Sequence, residues 1–151
     1  METIKVYTDG GCSGNPGPGA WAFIILDGRE RINGAGRQRA TTNNRMELSA
    51  VISALEFIAG RPEMKHCPLE VYTDSQYVKK GITEWIHNWV RNGWLTATKK
   101  PVKNKEYWLR LKKAADGMKI SWHWVMGHAG IDLNEECDRM VKEGIRKLLA
   151  K

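Results

Sequence analysis

The tetrapeptide Val-Tyr-Thr-Asp occurs twice, as Val6-Tyr7-Thr8-Asp9 in IKVYTDGG and as Val71-Tyr72-Thr73-Asp74 in LEVYTDSQ. Each copy closes a β-prone run on an aspartate followed by small polar residues, and a helix-patterned stretch lies between them. Two accounts fit. Asp ends strands and opens turns by itself, because its side chain bonds the backbone two residues on. Alternatively, the two strand ends lie side by side and their carboxylates converge on something cationic.

The pattern around the pair is that of an α/β chain. Ile4 to Thr8, Ala20 to Leu26 and the more polar Glu30 to Arg37 read as strands close enough to form an antiparallel meander. A helix follows from about Asn44, since Leu48, Val51, Ile52, Leu55 and Ile58 recur at the 3.6-residue period and Gly60 and Pro62 supply stop signals. The second VYTD strand spans Leu69 to Thr73. Helices are expected over Ser75 to Lys80, Thr83 to Val90 and Asn104 to Ala115. Met118 to Met126 alternates Ile120, Trp122, Trp124 and Met126 against Ser121, His123 and Val125, the period of a half-buried strand. A final helix from about Asn134 buries Cys137, Val141, Ile145 and Leu148.

At 151 residues the chain fits one domain with a real core and needs no staples. Hydrophobic residues, 42% of the total, never run unbroken for the roughly 18 positions of a membrane helix, and the N-terminus shows no targeting pattern. The expectation is a soluble, cytoplasmic protein. Three cysteines, Cys12, Cys67 and Cys137, are odd in number and lack C-x-x-C spacing, against both a disulfide framework and a zinc site.

The net charge of +7 is concentrated. Lys79 to Lys113 holds ten Lys/Arg and two acids, a local excess of +8 that leaves the remainder near −1. Trp85, Trp89, Trp94, Tyr107 and Trp108 are interleaved with it. Basic residues beside aromatics suit a polyanion such as nucleic acid. A tryptophan core under a solvated lysine face gives the same pattern.

Candidate site carboxylates are few. Asp9 and Asp74 sit at strand C-terminal ends, outside which ligands bind in open α/β sheets. Glu47 lies in the first helical turn three residues after Asn44, as a site residue or as half of a capping box. Asp138 stands beside Cys137 at the edge of the last helix's buried face, as a ligand or a solvated helix acid. Four gathered carboxylates repel strongly, so a cluster makes sense only around cations. Oxygen-only ligation suits Mg²⁺ or Mn²⁺. The glycine-rich DGGCSGNPGPG after Asp9 lacks the Gly-Lys-Ser/Thr of a P-loop and reads as a tight hairpin with close backbone approach. His128 lies in the loop GHAG, ten residues before Asp138.

Taken together, YTDGGCSGNPGPG, TTNNRMEL, YTDSQYV, WIHNW, KKPVKN and GHAG followed by NEECD resemble the bacterial type 1 ribonuclease H pattern, in order and over nearly the whole chain. The resemblance implies a single α/β domain over 1–151, with a five-stranded mixed sheet flanked by helices in the order βββαβαααβα. It implies an endonuclease that hydrolyses the RNA strand of RNA/DNA hybrids with two Mg²⁺ ions, Mn²⁺ as substitute, leaving 5′-phosphate and 3′-hydroxyl ends. The family's four acidic ligands fall on Asp9, Glu47, Asp74 and Asp138. Its loop histidine, with a part in proton transfer or product release, falls on His128.

For the substrate, the resemblance places RNA-strand contacts on Gly10, Gly11, Cys12, Asn15, Asn43, Asn44 and Gln76, where the 2′-hydroxyl tells RNA from DNA. A DNA-strand phosphate falls near Thr42 and Asn88. The basic protrusion corresponds to Ile82 through Lys100, with Trp85 near the DNA strand and Lys99 and Lys100 basic contacts. A monomer is expected. Val90, Asn92 and Leu95 stand where well-known bacterial members are more basic, and Met126 replaces the lysine of VKGHAG. A binding module without catalysis would need only the basic aromatic segment. A related DNA nuclease would share the carboxylates but not the set Asn15, Asn43, Asn44 and Gln76.

Overall fold

The computed structural model describes residues 2–28, 30–125 and 132–150. Its elements are β1 (Ile4–Cys12), β2 (Gly17–Asp27), β3 (Glu30–Thr41), α1 (Asn43–Ala59), β4 (Leu69–Thr73) and α2 (Gln76–Lys80). A π-helical turn (Gly81–Trp85), α3 (Ile86–Arg91), α4 (Lys105–Ala115), β5 (Ile120–Trp124) and α5 (Asp132–Leu149) complete the order. The strands form one sheet in the order β3-β2-β1-β4-β5. β1, β2 and β3 pair antiparallel, while β4 runs parallel to β1 and β5 parallel to β4. The expected five-stranded mixed sheet and element order are those observed.

Alternation along β1 builds two cores. Ile4 and Val6 join Phe23, Ile25 and the apolar side chains of α1 on one side of the sheet. Tyr7 joins Ala22, Ile24, Cys137 and Val141 of α5 on the other. α1 buries more than one stripe, including Met46, Ala50 and Ala54. Its second apolar side meets α4, whose Trp108 and Leu111 are buried, so α1 is sandwiched between the sheet and α4.

Several boundaries differ from the sequence expectation. β1 does not end at Thr8: it runs on through Asp9, Gly10 and Gly11 to Cys12, which pairs with Gly19 of β2. Asp9 is therefore a mid-strand residue opposite Ala22, whereas Asp74 does follow the last residue of its strand. Pairing with the long β2 hairpin arm extends β1 past the turn-forming sequence. α1 starts one residue early because Thr42 is its N-cap, its hydroxyl accepting from Arg45 N at 3.2 Å. The capping-box reading of Glu47 is thus overturned. The two helices expected over 75–90 are joined through the π-helical turn. Gly81 there lies against Trp108, where an added Cβ would stand 2.0 Å from the indole Cη2. The strand expected over Met118 to Met126 is shorter. It starts at Ile120, and after Trp124 Val125 N adds a rung to Thr73 O at 2.9 Å, while Met126 lies outside the described residues. Among the described residues no helix is long and apolar enough to cross a membrane.

Candidate active site

The register carries the two VYTD aspartates to one place. Thr8 pairs with Thr73 and Tyr7 with Tyr72, whose rings stack 4.9 Å apart on the α5 side. Side chains alternate along a strand, so Asp9 and Asp74, two residues further on, return to that same side. α5 brings Asp138 over it, with Cys137 buried one residue earlier.

Glu47 arrives from the opposite layer. Gly10 points towards α1, where an added Cβ would lie 2.3 Å from Met46 C and 2.5 Å from Glu47 N. Backbone touches backbone there, which only glycine permits. The Glu47 carboxylate then accepts a short hydrogen bond from the Ser75 hydroxyl. Ser75 is itself fixed: its Oγ caps α2 by accepting from Val78 N at 3.1 Å, and its amide donates to Thr73 Oγ1 at 3.0 Å. Trp124 Nε1 donates to the Asp74 carbonyl at 3.0 Å, tying β5 to the same corner.

The carboxylates sense one another. Asp9, only 8% exposed, is pushed up to about 8 by burial, then by the charges of Asp74, Asp138 and Glu47, against a hydrogen bond from the Gly10 amide. Glu47 is pushed up to about 7 by burial, opposed by the Ser75 hydrogen bond and reinforced by Asp74. The Cys137 thiol, buried near Asp9, is raised to about 12, first by burial and then by Asp9. That thiol stays protonated and forms a dry floor. Asp138 carries a partner of its own, Lys142 Nζ at 2.9 Å.

This donor set fits a hard divalent cation. All donors are carboxylate oxygens, and their repulsion is relieved by positive charge. Among the described residues no three such groups close into a ready cage. Mg²⁺ tolerates that, because it keeps several waters and takes phosphate oxygens alongside one or two carboxylates.

The expected substrate contacts divide into two groups. Asn43 Oδ1 accepts from Cys12 N at 2.8 Å and Asn15 Oδ1 accepts from Asn43 N at 3.3 Å, so the β1–β2 turn and the start of α1 form one unit. Gly11 lies against both Asn43 and Val141. Asn44 sits in the first turn of α1 and Gln76 opens α2, exposed. Thr42 spends its hydroxyl on capping. On the other side, Asn88 Oδ1 accepts from Arg91 at 3.2 Å. Lys99 and Lys100 are exposed on a tight turn where Thr96 N bonds Lys100 O at 2.7 Å. Trp85 is 36% exposed at the rim of a ring cluster that includes Tyr77 and Trp89, while Trp108 at its centre is buried. For most of these aromatics, the core account of the basic segment holds. His128 lies outside the described residues.

Ser75 and Trp124 were missed from the sequence. Ser75 had a local signal, a small polar residue between a strand and a helix, but its bond to Glu47 spans 28 positions and leaves none.

Comparison with known proteins agrees with this geometry. The family model described as RNase H matches residues 1–146. A ribonuclease H of Bradyrhizobium sp. (strain ORS 278) is 53% identical over 145 residues, covering 96% of this chain and 91% of that protein. One from Rhodopseudomonas palustris (strain BisB5) is 53% identical over 147 residues, 97% of this chain and 95% of that protein. Among solved structures, LC9-RNase H1, a type 1 RNase H with the type 2 active-site motif, superposes with a TM-score of 0.87 at 30% identity, covering 98% of this chain and 74% of that one. LC11-RNase H1, solved in complex with an RNA/DNA hybrid, shares the fold with a TM-score of 0.72 at 24% identity, covering 97% of this chain and 99% of that one. Matched along nearly its whole length by sequence and by fold, the chain belongs to the ribonuclease H family.

Proposed function

We propose that this chain is an endonuclease that hydrolyses the RNA strand of RNA/DNA hybrids, acting as a monomer with residues 1–151 as one domain. The observation that carries the reading is Asp9: a mid-strand carboxylate held nearly dry beside three others, which is unfavourable in its ionised form unless cations occupy the site.

Asp9, Glu47, Asp74 and Asp138 would hold two Mg²⁺ ions, with Mn²⁺ as a substitute. Bound there, the ions supply Lewis-acid stabilisation of the phosphoryl oxygens and lower the pKa of a nucleophilic water. Ser75 holds the Glu47 carboxylate against the end of β4, and Cys137 and Tyr7 keep the floor beneath Asp9 apolar. Hydrolysis adds water across the P–O3′ bond, leaving a 5′-phosphate and a 3′-hydroxyl. His128 is assigned proton transfer at the leaving group or release of the product.

Gly10, Gly11, Cys12, Asn15, Asn43, Asn44 and Gln76 are assigned to the RNA strand, partly through backbone groups. Their support is the linked turn-and-helix unit of Cys12, Asn15 and Asn43. Thr42, Trp85, Asn88, Lys99 and Lys100 are assigned to the DNA strand, supported by the exposure of Trp85 and both lysines. The test is incubation with end-labelled RNA/DNA hybrid, duplex RNA and duplex DNA, with and without Mg²⁺. Mg²⁺-dependent cutting of hybrid RNA alone is expected; equal cutting of duplex DNA would overturn the reading.

A further inference from the structure

Two helix starts face the proposed substrate surface: that of α1, with Asn43, Asn44 and Glu47, and that of α2, with Gln76. Besides the Ser75 bond to Glu47, a second buried side chain joins them. Asn104, 6% exposed, accepts from Arg45 Nε at 3.0 Å through Oδ1 and donates to the Tyr77 hydroxyl at 3.2 Å through Nδ2. Arg45 lies between Asn44 and Glu47, and Tyr77 follows Gln76. The Tyr77 hydroxyl also accepts from Trp108 Nε1 at 3.1 Å, so every polar atom of the Asn104 amide group lies within a short network.

Asn104 also marks where the basic segment returns to the body. Val102 N bonds Trp94 O at 3.1 Å, and Tyr77 and Trp108 pack against the ring cluster containing Trp85, Trp89 and Trp94. Its backbone is left-handed, at φ 62°. Among non-glycine residues Asn adopts that conformation most readily, and here it also supplies a donor and an acceptor at once. The Arg45 guanidinium, 5.7 Å from the centre of the Tyr107 ring, is held from a second side.

We propose that Asn104 is a positioning residue that fixes the RNA-facing starts of α1 and α2 relative to the basic, DNA-facing segment, and so sets the width of duplex the surface accepts. This rests on the ribonuclease reading above. The lock acts before chemistry: it holds two surfaces at one spacing, so its loss weakens hybrid recognition more than turnover.

The experiment compares wild type, Asn104→Gly and Asn104→Asp. Glycine keeps the left-handed backbone and removes both hydrogen bonds; aspartate keeps an acceptor for Arg45 and can accept from the Tyr77 hydroxyl. Steady-state cleavage of a hybrid is measured beside equilibrium hybrid binding in Ca²⁺. Asn104→Gly should raise KM and Kd about tenfold, the scale of one charge-assisted hydrogen bond, with kcat within about twofold. Asn104→Asp should recover most of that loss. Replacing Lys99 and Lys100 by alanine should cost less affinity in the Asn104→Gly background than in wild type, since coupled positions are not additive. Unchanged KM and Kd in Asn104→Gly, a fall in kcat with KM unmoved, an aspartate variant no better than glycine, or full additivity with the lysines would each overturn the lock while wild-type cleavage still upheld the enzyme. A wild-type chain that neither bound nor cut hybrid would overturn both.

Discussion

Gly10 and Glu47 meet backbone to backbone: a Cβ on Gly10 would stand 2.5 Å from the Glu47 amide nitrogen. The contact seats the first turn of α1 on the strand that carries Asp9, so the distance between two proposed ligands is set by the absence of a side chain between them. Gly10→Ala must push the helix away from the sheet. Overpacking of this kind costs about 1 to 3 kcal/mol, and a displaced ligand costs about 10²-fold in rate. A chemical melt beside Mg²⁺-dependent cleavage should show modest destabilisation with a much larger loss of activity.

Ser75 should behave as the Glu47 support. Ser75→Ala removes the α2 cap, worth about 1 kcal/mol, and also the donor to Glu47. The Mg²⁺ concentration for half-maximal cleavage should rise, and calorimetric Mn²⁺ binding should weaken with it. Ser75→Thr, which keeps the hydroxyl, should restore both. Metal affinity unchanged in the alanine variant would reduce Ser75 to a cap.

The pH dependence has a definite sign. Asp9 moves from 3.8 to about 8 and Glu47 from 4.5 to about 7 on folding. Within those windows the folded chain holds protons that the unfolded chain has released, so this contribution to stability is fully present below the unfolded values and is lost as pH rises through the folded ones. In chelator-treated buffer the melting temperature should therefore fall between about pH 4 and pH 8. Mg²⁺ should flatten the decline by replacing the protons, and Asp9→Asn should flatten it without metal. A metal-free melting temperature that climbed over this range would contradict the crowding.

Much of this site was legible because strand register is short-range chemistry read twice. Tyr7 and Tyr72 precede the two aspartates at equal spacing, so once β1 and β4 pair, Asp9 and Asp74 must share a side. The end of β1 was not legible, since Gly10 and Gly11 signal a turn and only the β2 partner shows that the strand continues. The start of α1 was misplaced for a related reason: Thr41, Thr42, Asn43 and Asn44 are all plausible caps, and the geometry selects Thr42. The roles of Ser75 and Asn104 depend on bonds reaching 28 and 59 positions away, which no local pattern announces.

Salt dependence tests the basic segment. Each neutralised phosphate contributes about 0.9 to the slope of log affinity against log salt. Lys99 and Lys100, exposed on their turn, should together lower that slope by nearly twice this amount when replaced by alanine. An unaltered slope would place the hybrid on another face.

The buried carboxylates are proposed to hold cations for cleavage, at a cost to the fold. The decisive variant is Asp9→Asn, with hybrid cleavage in Mg²⁺ and thermal melting in chelator measured on the same preparation. Cleavage should fall to background while the metal-free melting temperature equals or exceeds that of the parent, because the cost of burying that carboxylate is removed, first its desolvation and then its repulsion by Asp74, Asp138 and Glu47. Parental cleavage by the variant, or its global unfolding, would contradict that role.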